Sequence, residues 1–126
     1  MSADAHLHII VLAAGASTRL GQAKQLVQIA GRPALQQVVS NAIAVAGSAV
    51  TVVLGAQAAD ITRMLQHSSA SVLINRQWQE GLASSIRCGM SSLSHACDAV
   101  LLLLGDQVAV TAADLKRLIS AWNGRD

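Results

Sequence analysis

Residues His6 to Lys24 read HLHIIVLAAGASTRLGQAK, and this stretch decides how the rest of the chain is read. The apolar run from His6 to Ala13 has the length and make-up of a buried strand, and it drives straight into a turn rich in glycine and alanine. Small side chains let a ligand come close to the backbone, and bare N–H groups in such a turn can cradle phosphate oxygens. Arg19 and Lys24 end the stretch with the positive charge that a triphosphate requires. The loop therefore suggests a nucleotide site. Spacing alone leaves a plainer alternative open, a tight β-to-α turn with two solvated cations. It is not a P-loop, because Gln22 follows Gly21 where that motif needs lysine, and it is not G-x-G-x-x-G.

Composition bounds the rest. A chain of 126 residues is expected to form one domain, 1–126, since domains run roughly 100–200 residues. With 52% hydrophobic and 13% charged residues it should pack as a globule. Trp78 and Trp122 are the only aromatic residues, so the core must be aliphatic, as suits parallel strands buried on both faces. A net charge of +2 with scattered Lys and Arg argues against nucleic acid as a partner. Cys88 and Cys97 lack both metal-ligand spacing and secreted-framework density, and a reducing cytoplasm is the expected location. Met1 to Ala5 carries an acid and no cation, so no signal peptide is expected. The run Ala99 to Leu104 falls far short of the roughly 20 residues of a membrane helix, so no membrane partner is expected. His6, His8, His67 and His95 have no partner at ligand spacing, and no G-x-S-x-G elbow supports a serine hydrolase.

Strand-like and helical patterns alternate along the chain. His6–Ala13, Ala49–Leu54, Ser71–Ile74 and Asp98–Leu104 read as strands, three of them closed by Gly15, Gly55 and Gly105. Leu35, Val38, Val39, Ala42, Ile43 and Ala46 form one helical stripe between Pro33 and Gly47. Ile61, Met64 and Leu65 mark a second helix, and Leu82, Ile86, Met90 and Leu93 a third with Ser84 and Ser85 near its first turn. Thr111-x-x-Asp114 is a capping box that opens a fourth, with Leu115, Leu118, Ile119 and Trp122 on it.

The order β-α-β-α-β-α-β-α predicts an α/β fold: a three-layer, Rossmann-like open parallel sheet with helices on both faces. Ligands of such sheets bind beyond the carboxyl ends of the strands, where the strand order reverses. If the order is 3-2-1-4, the first and fourth strands flank that point. The loop 15–24 and the turn Gly105-Asp-Gln107 then face one crevice, which brings Arg19, Lys24 and Asp106 together.

The blocks Leu12-Ala-Ala-Gly-x-Ser-x-Arg-Leu-Gly-x-x-Lys24, Asn75-x-x-Trp78-x-Glu80-Gly81-x-x-Ser84-Ser85-Ile86-Arg87-x-Gly89 and Leu104-Gly-Asp-Gln107 resemble the MobA-like NTP transferases. Within them the chain is most similar to the molybdenum-cofactor cytidylyltransferase group. Guanylyl-transferring relatives usually carry Leu-Ala-Gly-Gly where this chain has Leu12 to Gly15. The resemblance implies a nucleotide-diphospho-sugar-transferase-like fold and a Mg²⁺-dependent transfer of a nucleoside monophosphate to a phosphorylated molybdopterin-type acceptor. CTP is implied as the donor in preference to GTP.

The same resemblance implies residue roles. The backbone of Leu12, Ala13, Ala14 and Gly15 would lie along the base and ribose, and Arg19 and Lys24 would hold the triphosphate, Lys24 nearest the reacting phosphorus. Gly81, Ser84 and Ser85 would lie in the base pocket, and Asp106 would bind the metal. Read without the resemblance, Asp106 is equally an ordinary turn carboxylate, Ser84 and Ser85 a polar helix start, and Asn75 and Trp78 residues that shape a loop.

Two departures from the family stand out. Its domain is longer, so the chain is expected to correspond to the nucleotide-binding half, without the second metal-binding aspartate and the acceptor region. Val108 stands where the family usually has proline. A catalytically weak or inactive relative that binds nucleotide, or an oligomeric regulatory domain, is therefore the alternative reading. With order 3-2-1-4 the fourth strand is a hydrophobic edge, from which a homo-oligomer is expected.

Overall fold

A computed structural model describes residues 7–14, 32–55, 58–93, 97–107 and 109–123, together with the backbone of 18–19, 22–23 and 28–29. In chain order the main elements are β1 (Leu7–Ala13), α1 (Ala34–Ala46), β2 (Val50–Leu54), α2 (Ala58–Met64) and β3 (Ser71–Ile74). They are followed by α3 (Leu82–Ser91), β4 (Ala99–Leu104) and α4 (Ala112–Asn123), with one turn of 3-10 helix over Trp78–Glu80 before α3. The four strands form one parallel sheet in the order β3-β2-β1-β4, the 3-2-1-4 order that the alternation of elements suggested. Val11 pairs with Val52 on one side and with Leu103 on the other.

Side-chain alternation splits the core into two layers. Ile9, Val11 and Ala13 join Val50, Val52, Leu54 and Leu103 under α1, α2 and α4, which contribute Leu35, Val38, Ile61 and Leu115. Ile10, Leu12, Ala14 and Val53 face the opposite way, against Trp78, Ile86 and Cys88. Each fully buried Ile, Leu or Val contributes about 1.5–3 kcal/mol relative to exposure, which explains why β1 and β2 carry near-continuous apolar runs rather than alternating, with His8 and Thr51 as the polar exceptions. Among the described residues no helix is long and apolar enough to cross a membrane.

Local signals set the helix ends. α1 starts after Pro33 and stops at Gly47, whose φ of +59° suits only a residue without a side chain, and Gly47 N–H bonds Ile43 O at 2.8 Å. At α4 the capping box is closed both ways, Asp114 N–H to Thr111 Oγ1 at 3.2 Å and Thr111 N–H to Asp114 Oδ2 at 3.1 Å. That backbone bond from Thr111 is the main reason the Asp114 carboxyl is held below its ordinary pKa.

One helix turns a different face inward from the one its apolar residues mark. Leu82 and Met90 are 56% and 46% exposed, whereas Ser84, Ser85 and Gly89 are buried. Small residues win here because α3 lies close on the sheet: a Cβ at Gly89 would sit 3.0 Å from Ile10 Cγ2 and 3.2 Å from Val53 Cγ2. The serines are drawn in by Asn75, which follows β3 and is only 5% exposed. Asn75 Nδ2 donates to Ser84 Oγ at 2.9 Å and Ser85 Oγ at 3.0 Å, and Oδ1 accepts the Gln77 N–H at 3.0 Å. Ser84 Oγ in turn donates to Gln77 O at 3.1 Å, and Asn75 N–H extends the β2–β3 ladder by bonding Leu54 O at 2.7 Å. Every polar group of this buried node has a partner, so it costs little to bury and fixes where α3 begins.

Asn75→Ala removes three of these bonds and strands the Ser85 hydroxyl in the interior, while Ser84 keeps its bond to Gln77 O. We expect a loss of about 2–4 kcal/mol in urea denaturation, with an unchanged dependence on denaturant. A second expectation concerns pH. Burial pushes the His8 imidazole below its ordinary value of 6.5, and its Nε2 lies 2.7 Å from Thr51 Oγ1. The unfolded chain then binds the proton more readily than the folded one, so this contribution is whole above pH 6.5 and shrinks as pH falls toward the lowered value. His8→Gln should flatten the fall in melting temperature between neutral pH and mildly acid pH; an unaltered slope would show that other groups set it.

Candidate functional site

The strand order reverses between β1 and β4, and the carboxyl ends of these two strands are locked together. Gly105 N–H donates to Leu12 O at 3.0 Å. A Cβ on Gly105 would meet Ala13 Cβ and Leu35 Cδ1, each at 3.1 Å, so glycine is what allows so close an approach. Leu12, Ala13 and Ala14 thus run beside the turn that carries Asp106, whose side chain is half-buried. Of the residues singled out from the sequence, these four are brought together directly.

The turn itself is tied on two sides. Gln107 N–H donates to Leu104 O at 3.1 Å, while the Leu104 N–H donates back to Gln107 Oε1 at 2.7 Å. Further along, Val110 N–H bonds Gln107 O at 3.2 Å, and Asn41 Nδ2 on α1 donates to Val110 O at 3.2 Å. The bond from the Gln107 side chain and the anchor at Asn41 carry no periodic signature. Only the position of Gln107 inside the Leu104-to-Gln107 block pointed to that residue, and nothing pointed to Asn41.

On the other flank of Ala14 lies Gly55. A Cβ there would be 2.5 Å from Trp78 Cβ and 2.7 Å from Ala14 O, so Trp78 is packed against the end of β2 beside the first loop. Gly81, Ser84 and Ser85 belong to this side of the rim. Gly81 is exposed at φ +109°, and its N–H bonds Trp78 O at 3.1 Å. The serine hydroxyls face inward to Asn75, so their bonds hold the start of α3 in place beside Trp78. Arg19 pairs with Gln22 in a two-residue antiparallel ladder, which locates its backbone. Gly15 and Lys24 lie outside the described residues.

Among the described residues no group of three His, Cys, Asp or Glu side chains is placed to hold a metal ion. A carboxylate at the rim fits Mg²⁺ or a similar hard cation, which is commonly held by one or two carboxylates together with the phosphates of a nucleotide. Asp106 is the carboxylate at the rim that would serve.

A family model described as the MobA-like NTP transferase domain matches residues 9–126. The chain is 32% identical over 111 residues to the bifunctional protein GlmU of Trichlorobacter lovleyi, covering 86% of this chain and 24% of that relative. It is 29% identical to the crystal structure of Rv0371c from Mycobacterium tuberculosis H37Rv, with a TM-score of 0.79 over 94% of this chain and 60% of that one. The structure of CMP:2-keto-3-deoxy-manno-octonic acid synthetase complexed with CTP shares the fold at a TM-score of 0.76 and 24% identity, over 94% of this chain and 48% of that one. The chain thus spans about a quarter of the GlmU sequence and from half to three fifths of these structures. With the 3-2-1-4 sheet, the joined ends of β1 and β4 and a family match over residues 9–126, the chain belongs to the MobA-like NTP transferase domain family.

Proposed function

We propose that this domain transfers CMP from CTP to a phosphorylated molybdopterin-type acceptor and releases pyrophosphate. The observation that carries the reading is the bond between Gly105 N–H and Leu12 O, which joins the nucleotide-type loop to the Asp106 turn at the switch point of the sheet. The backbone of Leu12, Ala13, Ala14 and Gly15 takes the base and ribose, with Gly81 and the start of α3 at Ser84 and Ser85 closing the base side. Arg19 and Lys24 neutralise the triphosphate. The acceptor phosphate attacks the α-phosphorus in line as pyrophosphate leaves, and no protein nucleophile is needed. Mg²⁺, held by Asp106 and phosphate oxygens, supplies further charge neutralisation when bound. The preference for CTP is supported by Ala14, which stands where guanylyl-transferring relatives carry glycine, and by the CTP complex of the structural neighbour. The pterin acceptor rests on the sequence resemblance alone.

A second reading, nucleotide binding without turnover, is favoured by one observation: among the described residues no group of three His, Cys, Asp or Glu side chains is placed to hold a metal ion. CTP binding by calorimetry, with no pyrophosphate formed from any phosphorylated pterin or sugar acceptor, selects it.

Lys24→Ala and Asp106→Ala should each lower pyrophosphate release from CTP by about 100-fold or more, the usual cost of losing one group that stabilises transition-state charge. Activity untouched by both substitutions would overturn the site assignment.

We also propose that the domain self-associates through β4. Leu102 and Leu104 are 41% and 43% exposed on that edge. Below them an apolar groove of about 360 Å³ runs between β4 and α4, walled by Leu101, Leu118, Ile119 and Trp122. Light scattering on concentrated protein should give a multiple of the 13.0 kDa chain, and Leu102→Lys should return it to monomer. A monomer mass for the unaltered chain at high concentration excludes this.

A further inference from the structure

We propose that Gln107 is a positioning residue for Asp106: its side chain locks the turn that presents the metal-binding carboxylate. The inference rests on the nucleotidyl-transfer reading of the site. Asp106 is the single residue between two anchors. Before it, Gly105 is clamped to β1 through Leu12 O, where a side chain would be tight, its Cβ 3.1 Å from Ala13 Cβ and Leu35 Cδ1. After it, Gln107 grips both polar groups of Leu104, the carbonyl with its own N–H and the N–H with its Oε1.

The second of these bonds is the informative one. In a parallel ladder successive residues turn their N–H and C=O to opposite sides of the strand. Gly105 directs its N–H to β1, so Leu104 directs both groups away from β1, toward the open edge of the sheet. A strand end with one neighbour is free to fray, and a lone N–H at the edge is easily satisfied by water. Stability alone therefore gives little reason for a side chain to fold back over it. The effect of the fold-back is local: it closes the turn a second time and restricts the backbone of Asp106. The turn's other link is Val110, held by Asn41 from α1. Metal binding depends on where a carboxylate ligand stands, and loss of an outer residue that orients a metal ligand typically weakens metal binding 10–100-fold.

The test uses the full chain with Mn²⁺ as the probe. Free Mn²⁺ is counted by electron paramagnetic resonance in the presence of CTP and without acceptor. Amide exchange at Leu104 and thermal unfolding are followed on the same samples. Gln107→Ala should raise the half-saturating Mn²⁺ about tenfold and speed exchange at Leu104, while the unfolding temperature stays within a few degrees. Gln107→Glu retains an oxygen that accepts the Leu104 N–H and should bind Mn²⁺ at least as tightly as the unaltered chain. Asp106→Asn should abolish binding.

Unchanged Mn²⁺ binding in Gln107→Ala overturns the proposal, as does Gln107→Glu binding as poorly as the alanine variant. If Asp106→Asn binds like the unaltered chain while Gln107→Ala binds poorly, the metal is not on Asp106, and the site reading fails rather than the turn. If the unaltered chain takes up no Mn²⁺ with CTP, the nucleotidyl-transfer reading fails and this inference falls with it.

Discussion

Strand β1 meets protein on both faces and both edges, and the rest of the molecule is arranged around that constraint. From Ile9 to Ala14 no residue is appreciably exposed. A strand so enclosed can carry only apolar side chains, because any unpaired polar group would go unsatisfied. Chemistry is therefore displaced to the point where the strand ends, and the side chains shrink there from Val and Leu to Ala. Only small residues let the neighbouring turns close in. Gly55 comes against Ala14 O from one side and Gly105 against Ala13 from the other. The rim of the sheet is then a surface of backbone groups, which suits a ligand recognised by its backbone contacts and shape.

The two flanks of that rim are fixed by opposite means. On the β4 side the fixing is backbone to backbone, with Gln107 adding one side-chain bond at the edge. On the β3 side it is a buried amide, Asn75, that gathers two serines and a loop N–H. The first arrangement lies near solvent and its loss is tolerated by water. The second is sealed, and its loss leaves groups that water cannot reach. Damage to the β3 flank should thus appear first as instability, and damage to the β4 flank first as a change in binding.

Most of the architecture was legible because it rests on features that a sequence displays: four apolar runs, three of them stopped by glycine, and helical stripes between them. The Thr111–Asp114 box was legible for the same reason, since both partners of its bonds lie within one turn. The inward face of α3 was not. Periodicity counts apolar residues, and of the stripe Leu82, Ile86, Met90 and Leu93 only Ile86 and Leu93 pack inward, because the close packing at Gly89 and the pull of Asn75 bring small residues to the sheet and leave Leu82 and Met90 exposed. Nothing in the spacing of Ser84 and Ser85 reveals an amide nine and ten positions earlier. In the candidate site, topology alone set the loop 15–24 and the Gly105–Gln107 turn, and with them Arg19, Lys24 and Asp106, at one crevice, and the structure joins the end of β1 to that turn. Gly15 and Lys24 lie outside the described residues, and Arg19 is located only by its backbone pairing.

The turn after β4 also decides how the open edge of the sheet can be used. Because Gln107 occupies both outward groups of Leu104, a strand arriving from another chain finds its first free pair at Leu102 and its next at Val100. Pairing there would occupy the lower part of the edge and the groove toward Trp122, which lies at the amino end of β4. The carboxyl end, where Gly105 meets Leu12 and Ala13, would stay open. One glutamine would thus separate the two uses proposed for the same strand: association along its length and ligand access at its tip.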